Sequence, residues 1–398
     1  MRDRRFTDAA LPYRRTVALK ESSAVARVSD RLPAFPWDRL EPYKAEASAH
    51  PGGVVDLSVG TPVDPVPEIV QDALAAASDS PGYPTVWGTA ALRAAITGWA
   101  ARRLGAVGLT DTNVLPVVGS KELVAWLPTQ LGLGPGDRVA YPRLAYPTYE
   151  VGARLVGAEP VVYDPETFAA GAAGAELDPA GLKLLWLNSP SNPTGRVLTK
   201  DELRSAVEWA RAHDVLLVSD ECYLELGWEP DAEPVSVLHP EICGGSYEGV
   251  VAVHSLSKRS NLAGYRAAFL LGDQSVLGEL LQIRKHGGMM VPAPVQTATI
   301  AALGDDGHVA VQRERYARRR AALRAAFEGA GFRIEHSEAS LYLWATRDES
   351  CWDTVAELAG RGILVAPGDF YGAAGERFVR IAFTATDERV DEAVRRLK

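Results

Sequence analysis

Short, continuous apolar runs separated by polar loops recur along the chain: Leu115-Pro116-Val117-Val118, Leu184-Leu185-Trp186-Leu187, Val215-Leu216-Leu217-Val218 and Val250-Val251-Ala252-Val253. Runs that are apolar at every position, rather than at every second one, predict strands covered on both faces. They alternate with segments of helical periodicity, such as Leu123-Val124-Ala125-Trp126-Leu127. The pattern predicts an α/β fold with a mostly parallel, doubly wound sheet flanked by helices. The chain breaks near Pro292-Ala293-Pro294, after which a long helical pattern through Arg313-Glu314-Arg315-Tyr316 and Arg318-Arg319-Arg320 crosses into a smaller α+β domain. The expected divisions are a flexible N-terminal arm over 1–30, an N-terminal part of the small domain over 31–55, a large domain over 56–290 and a small C-terminal domain over 291–398. The Ala/Gly-rich piece from Ala169 to Ala175 reads as a mobile surface excursion. No internal repeat is present.

The ends of the apolar runs carry the candidate chemistry. Lys258, in Ser255-Leu256-Ser257-Lys258, follows one run directly. A lysine where a buried strand opens into a loop is desolvated, which lowers its pKa and makes its amine a nucleophile toward a carbonyl. Ser255, Ser257 and Arg266 supply two hydroxyls and a bidentate cation suited to a phosphate. An aldehyde held as a Schiff base beside a phosphate site points to pyridoxal phosphate. Asp220, at the end of another run, is placed to face a bound ring, where a carboxylate keeps a pyridine nitrogen protonated. Tyr223, three residues on, is a donor for the ring's phenolic oxygen. In Asn188-Ser189-Pro190-Ser191-Asn192-Pro193-Thr194-Gly195 the prolines hold Asn192 extended, with its amide directed at a ligand. Gly119-Ser120-Lys121-Glu122 opens a helix whose free N–H groups form a second phosphate contact, through Ser120 and Lys121.

Composition narrows the partners. A chain of 398 residues with 47% hydrophobic content has ample core for a large domain and a smaller one. The net charge of −9 argues against a nucleic-acid surface, so anionic substrates have to be captured by local cations. Cys222, Cys243 and Cys351 show neither metal spacing nor a disulfide framework, and fit a reducing cytoplasm. No apolar stretch is long enough to span a membrane. Arg2, Arg4, Arg5, Arg14, Arg15 and Lys20 lie among polar residues without the apolar centre of a secretory signal.

Taken in order and spacing, Asn192-Pro193-Thr194-Gly195, Asp220 with Tyr223, Ser255-Leu256-Ser257-Lys258, Arg266 and Arg380 in Phe378-Val379-Arg380-Ile381 resemble the class I/II aminotransferases of pyridoxal phosphate fold type I. The likeness covers roughly residues 30 to 398, and the combination is far more specific than any member. It implies that Lys258 holds the cofactor aldehyde and shuttles the substrate proton. Asp220 is then the ring-nitrogen partner, with Asn192 and Tyr223 on the ring oxygen. Ser120, Lys121, Ser255, Ser257 and Arg266 form the phosphate cup, and Tyr146 stacks on the ring. It further implies that Arg380 clamps the substrate α-carboxylate, assisted by the Gly60 backbone and Asn192, and that Tyr83 reaches the phosphate of a neighbouring subunit in a homodimer.

Phe35-Pro36-Trp37-Asp38, the segment Asp56 to Pro65, Ser80-Pro81-Gly82-Tyr83-Pro84 and Gly119 to Pro128 are similar to the actinobacterial type of succinyldiaminopimelate transaminase. That likeness implies ping-pong amino transfer between glutamate and a succinylated oxo acid in diaminopimelate and lysine biosynthesis. Distal carboxylates then call for further cations, with Lys121, Arg143, Arg259 and the Arg284-Lys285-His286 cluster as candidates. Another amino-acid aminotransferase, or a carbon–sulfur lyase on the same fold, shares Lys258, Asp220 and Arg380. A dinucleotide-dependent oxidoreductase is disfavoured because no glycine fingerprint follows the first strand.

Overall fold

The computed structural model describes residues 28–169 and 176–398. Most of the expected N-terminal arm and the Ala/Gly-rich excursion lie outside the described residues. Seven strands build the central sheet in the order β2 (Val114–Val117), β8 (Ala268–Gly272), β7 (Val250–Ser255), β6 (Leu216–Asp220), β5 (Leu182–Asn188), β3 (Arg138–Pro142) and β4 (Glu159–Tyr163). Only β8 runs against its neighbours, so the sheet is mostly parallel.

The continuous apolar runs arise because the sheet is buried on both faces. Along β7, Val250 and Ala252 enter the core on one face, while Val251 and Val253 enter the core on the other. Helix Ala90–Leu104 covers the first face through Leu92, Ile96 and Trp99. Helix Ser120–Gln130 and helix Thr148–Val156 cover the second through Leu123, Leu127, Tyr149 and Ala153. Fully burying each such leucine or aromatic contributes roughly 1.5–3 kcal/mol.

A separate core holds the four-stranded sheet β12 (Ala366–Pro367), β13 (Val379–Ala382), β10 (Tyr342–Thr346) and β9 (Arg333–Glu335). The short parallel pair β1 (Val55–Asp56) and β11 (Ile363–Leu364) brings the N-terminal segment into this second core. The expected boundary at 290 precedes helix Ala293–Gly304, yet Ala298, Ala302 and Leu303 of that helix pack into the first core. The passage between cores lies instead along helix Gly307–Gly329, which puts Tyr316, Leu323 and Phe327 into the second. The Pro292-Ala293-Pro294 break starts a helix of the first unit, because proline at a helix start costs no hydrogen bond.

In a parallel sheet all carboxyl ends lie on one edge, and the loops after β2, β5, β6 and β7 therefore meet there. The antiparallel β8 begins on that same edge, opposite the end of β7, with Ala268 paired to Ser255. The second core faces this edge, since the Ala145 N–H donates to the Tyr371 carbonyl at 2.8 Å.

Candidate active site

Lys258 lies in the single-turn helix Leu256–Arg259 that Ser255 caps at the end of β7. Its Nζ donates to the Gly60 carbonyl. Burial pushes the Lys258 ammonium below the ordinary lysine range, and Arg380 and Arg266 push the same way, while Tyr342 opposes. The desolvation expected from sequence is therefore present, and its consequence is a larger share of neutral amine at a given pH.

Asp220 ends β6 and is buried. Tyr149 donates to its Oδ2 at 2.8 Å and the Cys222 N–H to its Oδ1 at 3.2 Å. Burial holds the carboxyl above its usual range against these two donors. Among the described residues it has no ion pair, which is an expensive arrangement for a carboxylate unless a cation joins it. Asn188, at the end of β5, ties two of the elements together. Its Nδ2 donates to the Asp220 carbonyl at 3.0 Å and its Oδ1 accepts from the Asn192 N–H at 2.8 Å.

Arg380, on β13, is buried between two aromatic rings, 4.0 Å from the centroid of Tyr342 and 4.8 Å from that of Tyr371. Its Nη1 donates to Asn192 Oδ1 at 2.8 Å and its Nη2 to the Ser58 carbonyl at 2.7 Å. Nε is buried without a partner. A guanidinium carries about five N–H donors, so donors remain for a carboxylate. The Asn192 oxygen therefore orients Arg380, and the Ser58 carbonyl braces it from the backbone.

At the other end of the cleft, Gly119 has φ 89°, and a β-carbon there would overlap the Arg266 guanidinium. Glycine is required both for that backbone and for the approach of Arg266 to the start of helix Ser120–Gln130. Arg266 donates to the Ala263 carbonyl at 2.8 Å, and Ser255 Oγ lies 2.9 Å from Ser257 Oγ. Lys121 Nζ stands 6.0 Å from the Tyr146 ring. Tyr146 packs edge-on to Tyr149, centroids 6.1 Å apart. Tyr223 faces Tyr342, hydroxyl oxygens 2.9 Å apart. Tyr83 is 97% exposed and stands outside this cluster.

The expected distal cations divide. Arg259 is buried in an ion pair with Glu225, which Arg103 also engages at 2.9 Å, so it braces the first core. Arg284 is fully buried, pairing with Glu122 at 3.1 Å and with Gln130 at 3.1 Å. Arg143 is ion-paired to Asp164 at 2.7 Å. Replacing Arg284 by alanine is expected to destabilise the fold by about 3 kcal/mol in a urea titration, with KM unchanged. An unaltered midpoint with a raised KM would return Arg284 to substrate binding.

Tyr149, Tyr342 and Tyr371 were not anticipated from the sequence. Tyr342 and Tyr371 lie 119 and 148 residues from Tyr223, and only the pairing of β10 with β13 brings Tyr342 beneath Arg380. The local signal for Tyr149 is its place three residues after Tyr146, at the start of helix Thr148–Val156.

Residues 52–397 match the family Aminotransferase class I and II, and the chain belongs to that family, whose members work with pyridoxal phosphate. A probable aminotransferase of Mycobacterium tuberculosis is 62% identical over 93% of this chain and 86% of its own. The 4-dedimethylamino-4-oxo-anhydrotetracycline transaminase OxyQ of Streptomyces rimosus is 60% identical over 92% of this chain and 99% of its own. An LL-diaminopimelate aminotransferase of Gloeobacter violaceus is 33% identical, over 93% and 96%. Among solved structures, an aminotransferase of Neisseria meningitidis superposes with a TM-score of 0.84 at 30% identity, covering 93% of this chain and 98% of that one.

The cleft fits pyridoxal phosphate on its own chemistry. Lys121, Lys258, Arg266 and Arg380 have no carboxylate partner among the described residues. That is a dense set of uncompensated cations in a chain of net charge −9. Opposite them the buried Asp220 has no cation partner among the described residues. A phosphate on a ring with a cationic nitrogen, joined by the α-carboxylate of a substrate at Arg380, satisfies both.

Proposed function

We propose that this aminotransferase moves an amino group between glutamate and N-succinyl-2-amino-6-oxopimelate, forming N-succinyl-LL-diaminopimelate. The observation that carries the site assignment is the set of unpaired cations facing a buried, unpaired Asp220 at one edge of the sheet. The substrate rests on the Phe35-to-Asp38, Asp56-to-Pro65 and Gly119-to-Pro128 motifs, and on the likeness to a diaminopimelate aminotransferase.

Pyridoxal phosphate, when bound, supplies a protonated ring that withdraws electrons from the substrate's Cα–H bond. Asp220 holds the proton on the ring nitrogen, with Tyr149 and the Cys222 N–H fixing the carboxylate. Ser120, Lys121, Ser255, Ser257 and Arg266 would hold the phosphate, and Tyr146 would stack on the ring. Tyr223 and Asn192 serve its phenolic oxygen. Lys258 would hold the aldehyde through its amine and would be the group placed to move the Cα proton. Arg380, held between the two aromatic rings, would fix the α-carboxylate in the plane of its guanidinium and so set the orientation of the bonds to Cα. Tyr83, reaching from a second copy of the chain, completes the phosphate site, a reading that a fully active monomer would contradict.

The second reading, transfer to a ring ketone of the anhydrotetracycline type, is favoured by the 60% identity to the Streptomyces rimosus enzyme. Purified enzyme with glutamate is tested against succinylated and acetylated aminooxopimelates and such a ketone. The highest kcat/KM for the succinylated acid is expected, and preference for the ketone would replace this proposal with the second.

A further inference from the structure

The phenols of Tyr223 and Tyr342 are both buried, their oxygens 2.9 Å apart, and the geometry lets either be the donor. A phenol has one proton and two lone pairs. If Tyr223 directs its proton at Tyr342, none is left for a ligand in the cleft. If Tyr342 donates, the Tyr223 proton is free to point inward.

The surroundings of Tyr342 choose between these. The Arg380 guanidinium lies over its ring at 4.0 Å. Lys258 is held beside it on the Gly60 carbonyl. Gly60 itself makes room, since a β-carbon there would overlap the Tyr342 hydroxyl. Arg380 and Lys258 next to Tyr342 favour loss of its proton, while Cys222 opposes, and the Tyr146 and Tyr371 phenols also face it. Burial pushes the phenol up, but Arg380, Lys258 and the hydrogen bond with Tyr223 together act against it, and the net direction is down. Tyr223 goes the other way, driven up by burial and by Tyr342. Of two hydrogen-bonded phenols, the more acidic one donates.

We propose that Tyr342 is a positioning residue that donates its proton to Tyr223 and thereby turns the Tyr223 hydroxyl into the cleft as the donor to the phenolic oxygen of bound pyridoxal phosphate. The proposal rests on the reading of the cleft as the cofactor site. Hydrogen bonds in series polarise one another, so the Tyr342 donation strengthens that of Tyr223. A donor on the phenolic oxygen stabilises its anion and lowers the pH at which the bound cofactor releases a proton.

The test is the pH titration of the holoenzyme's visible absorbance in wild type, Tyr342→Phe, Tyr223→Phe and the double variant. Tyr342→Phe keeps the ring under Arg380 and removes only the hydroxyl. Its midpoint is expected to rise by about one pH unit, the worth of one neutral hydrogen bond. Tyr223→Phe raises it further, and the double variant matches Tyr223→Phe alone. Gly60→Ala, which displaces the Tyr342 hydroxyl, reproduces the rise by another route and serves if Tyr342→Phe fails to fold. An unmoved midpoint in Tyr342→Phe overturns the proposal. So does an equal shift when Tyr223 is already phenylalanine, because Tyr342 then acts through the local field and not through Tyr223. A wild-type holoenzyme with no titrating visible band would instead overturn the cofactor-site reading beneath it.

Discussion

Lys258→Ala is expected to reduce amino transfer by a factor on the order of 10²–10⁴ or more, from the lost proton transfer alone. The geometry explains why no neighbour substitutes. Guanidinium groups do not serve as bases in proteins, which sets aside Arg266 and Arg380, and Tyr223 and Tyr342 are engaged with each other at 2.9 Å. Asp220 is held by Tyr149 and Cys222. Lys121, another amine near the cleft, is exposed and stands 6.0 Å from the Tyr146 ring centroid. Burial lowers the pKa of Lys258, so the wild-type amine is neutral at a lower pH than a solvated lysine. The alanine variant is expected to bind the cofactor, since the phosphate and ring contacts stay in place, while a single-turnover reaction with glutamate stalls. A variant retaining more than a tenth of the wild-type single-turnover rate would show that another base does this work.

Arg380→Ala carries the second large effect, a loss of about 2–5 kcal/mol in kcat/KM for every amino-acid substrate, or roughly 30-fold to several thousand-fold. Removal of the guanidinium takes away the carboxylate clamp and leaves Asn192 Oδ1 and the Ser58 carbonyl without their donor. Lysine is expected to rescue little, because a point charge cannot reproduce a planar fork held between two rings at 4.0 and 4.8 Å. The loss should appear equally with glutamate and with the second substrate, since both share the α-carboxylate. A defect confined to one of them would assign Arg380 to a distal group instead.

Much of this site was legible because its chemistry sits where strands end. Asn188, Asp220 and Ser255 each terminate a strand of the central sheet. Local pattern alone predicts such positions, and the family motifs lie on them. The fold class was legible for the same reason: Val250 to Val253 are apolar without alternation because each face of β7 has its own core. What the sequence withheld depends on contacts between distant segments. Tyr342 reaches Arg380 only through the β10–β13 register, and Tyr149 reaches Asp220 across 71 residues. Arg259 and Arg284 looked like substrate cations because a charge on a helix says nothing about its partner. Glu225 and Glu122, which pair with them, lie 34 and 162 residues away. The helix Ala293–Gly304 packs into the first core although its proline-flanked start looks the same whether a helix opens a new unit or closes the old one.

The account depends on one amine. Reduction of the pyridoxal phosphate–loaded protein with borohydride, followed by proteolysis and peptide mapping, is expected to place a single pyridoxyl group on Lys258 in the peptide that carries Ser255-Leu256-Ser257. A label on Lys121 or any other lysine, or no label at all, would contradict it.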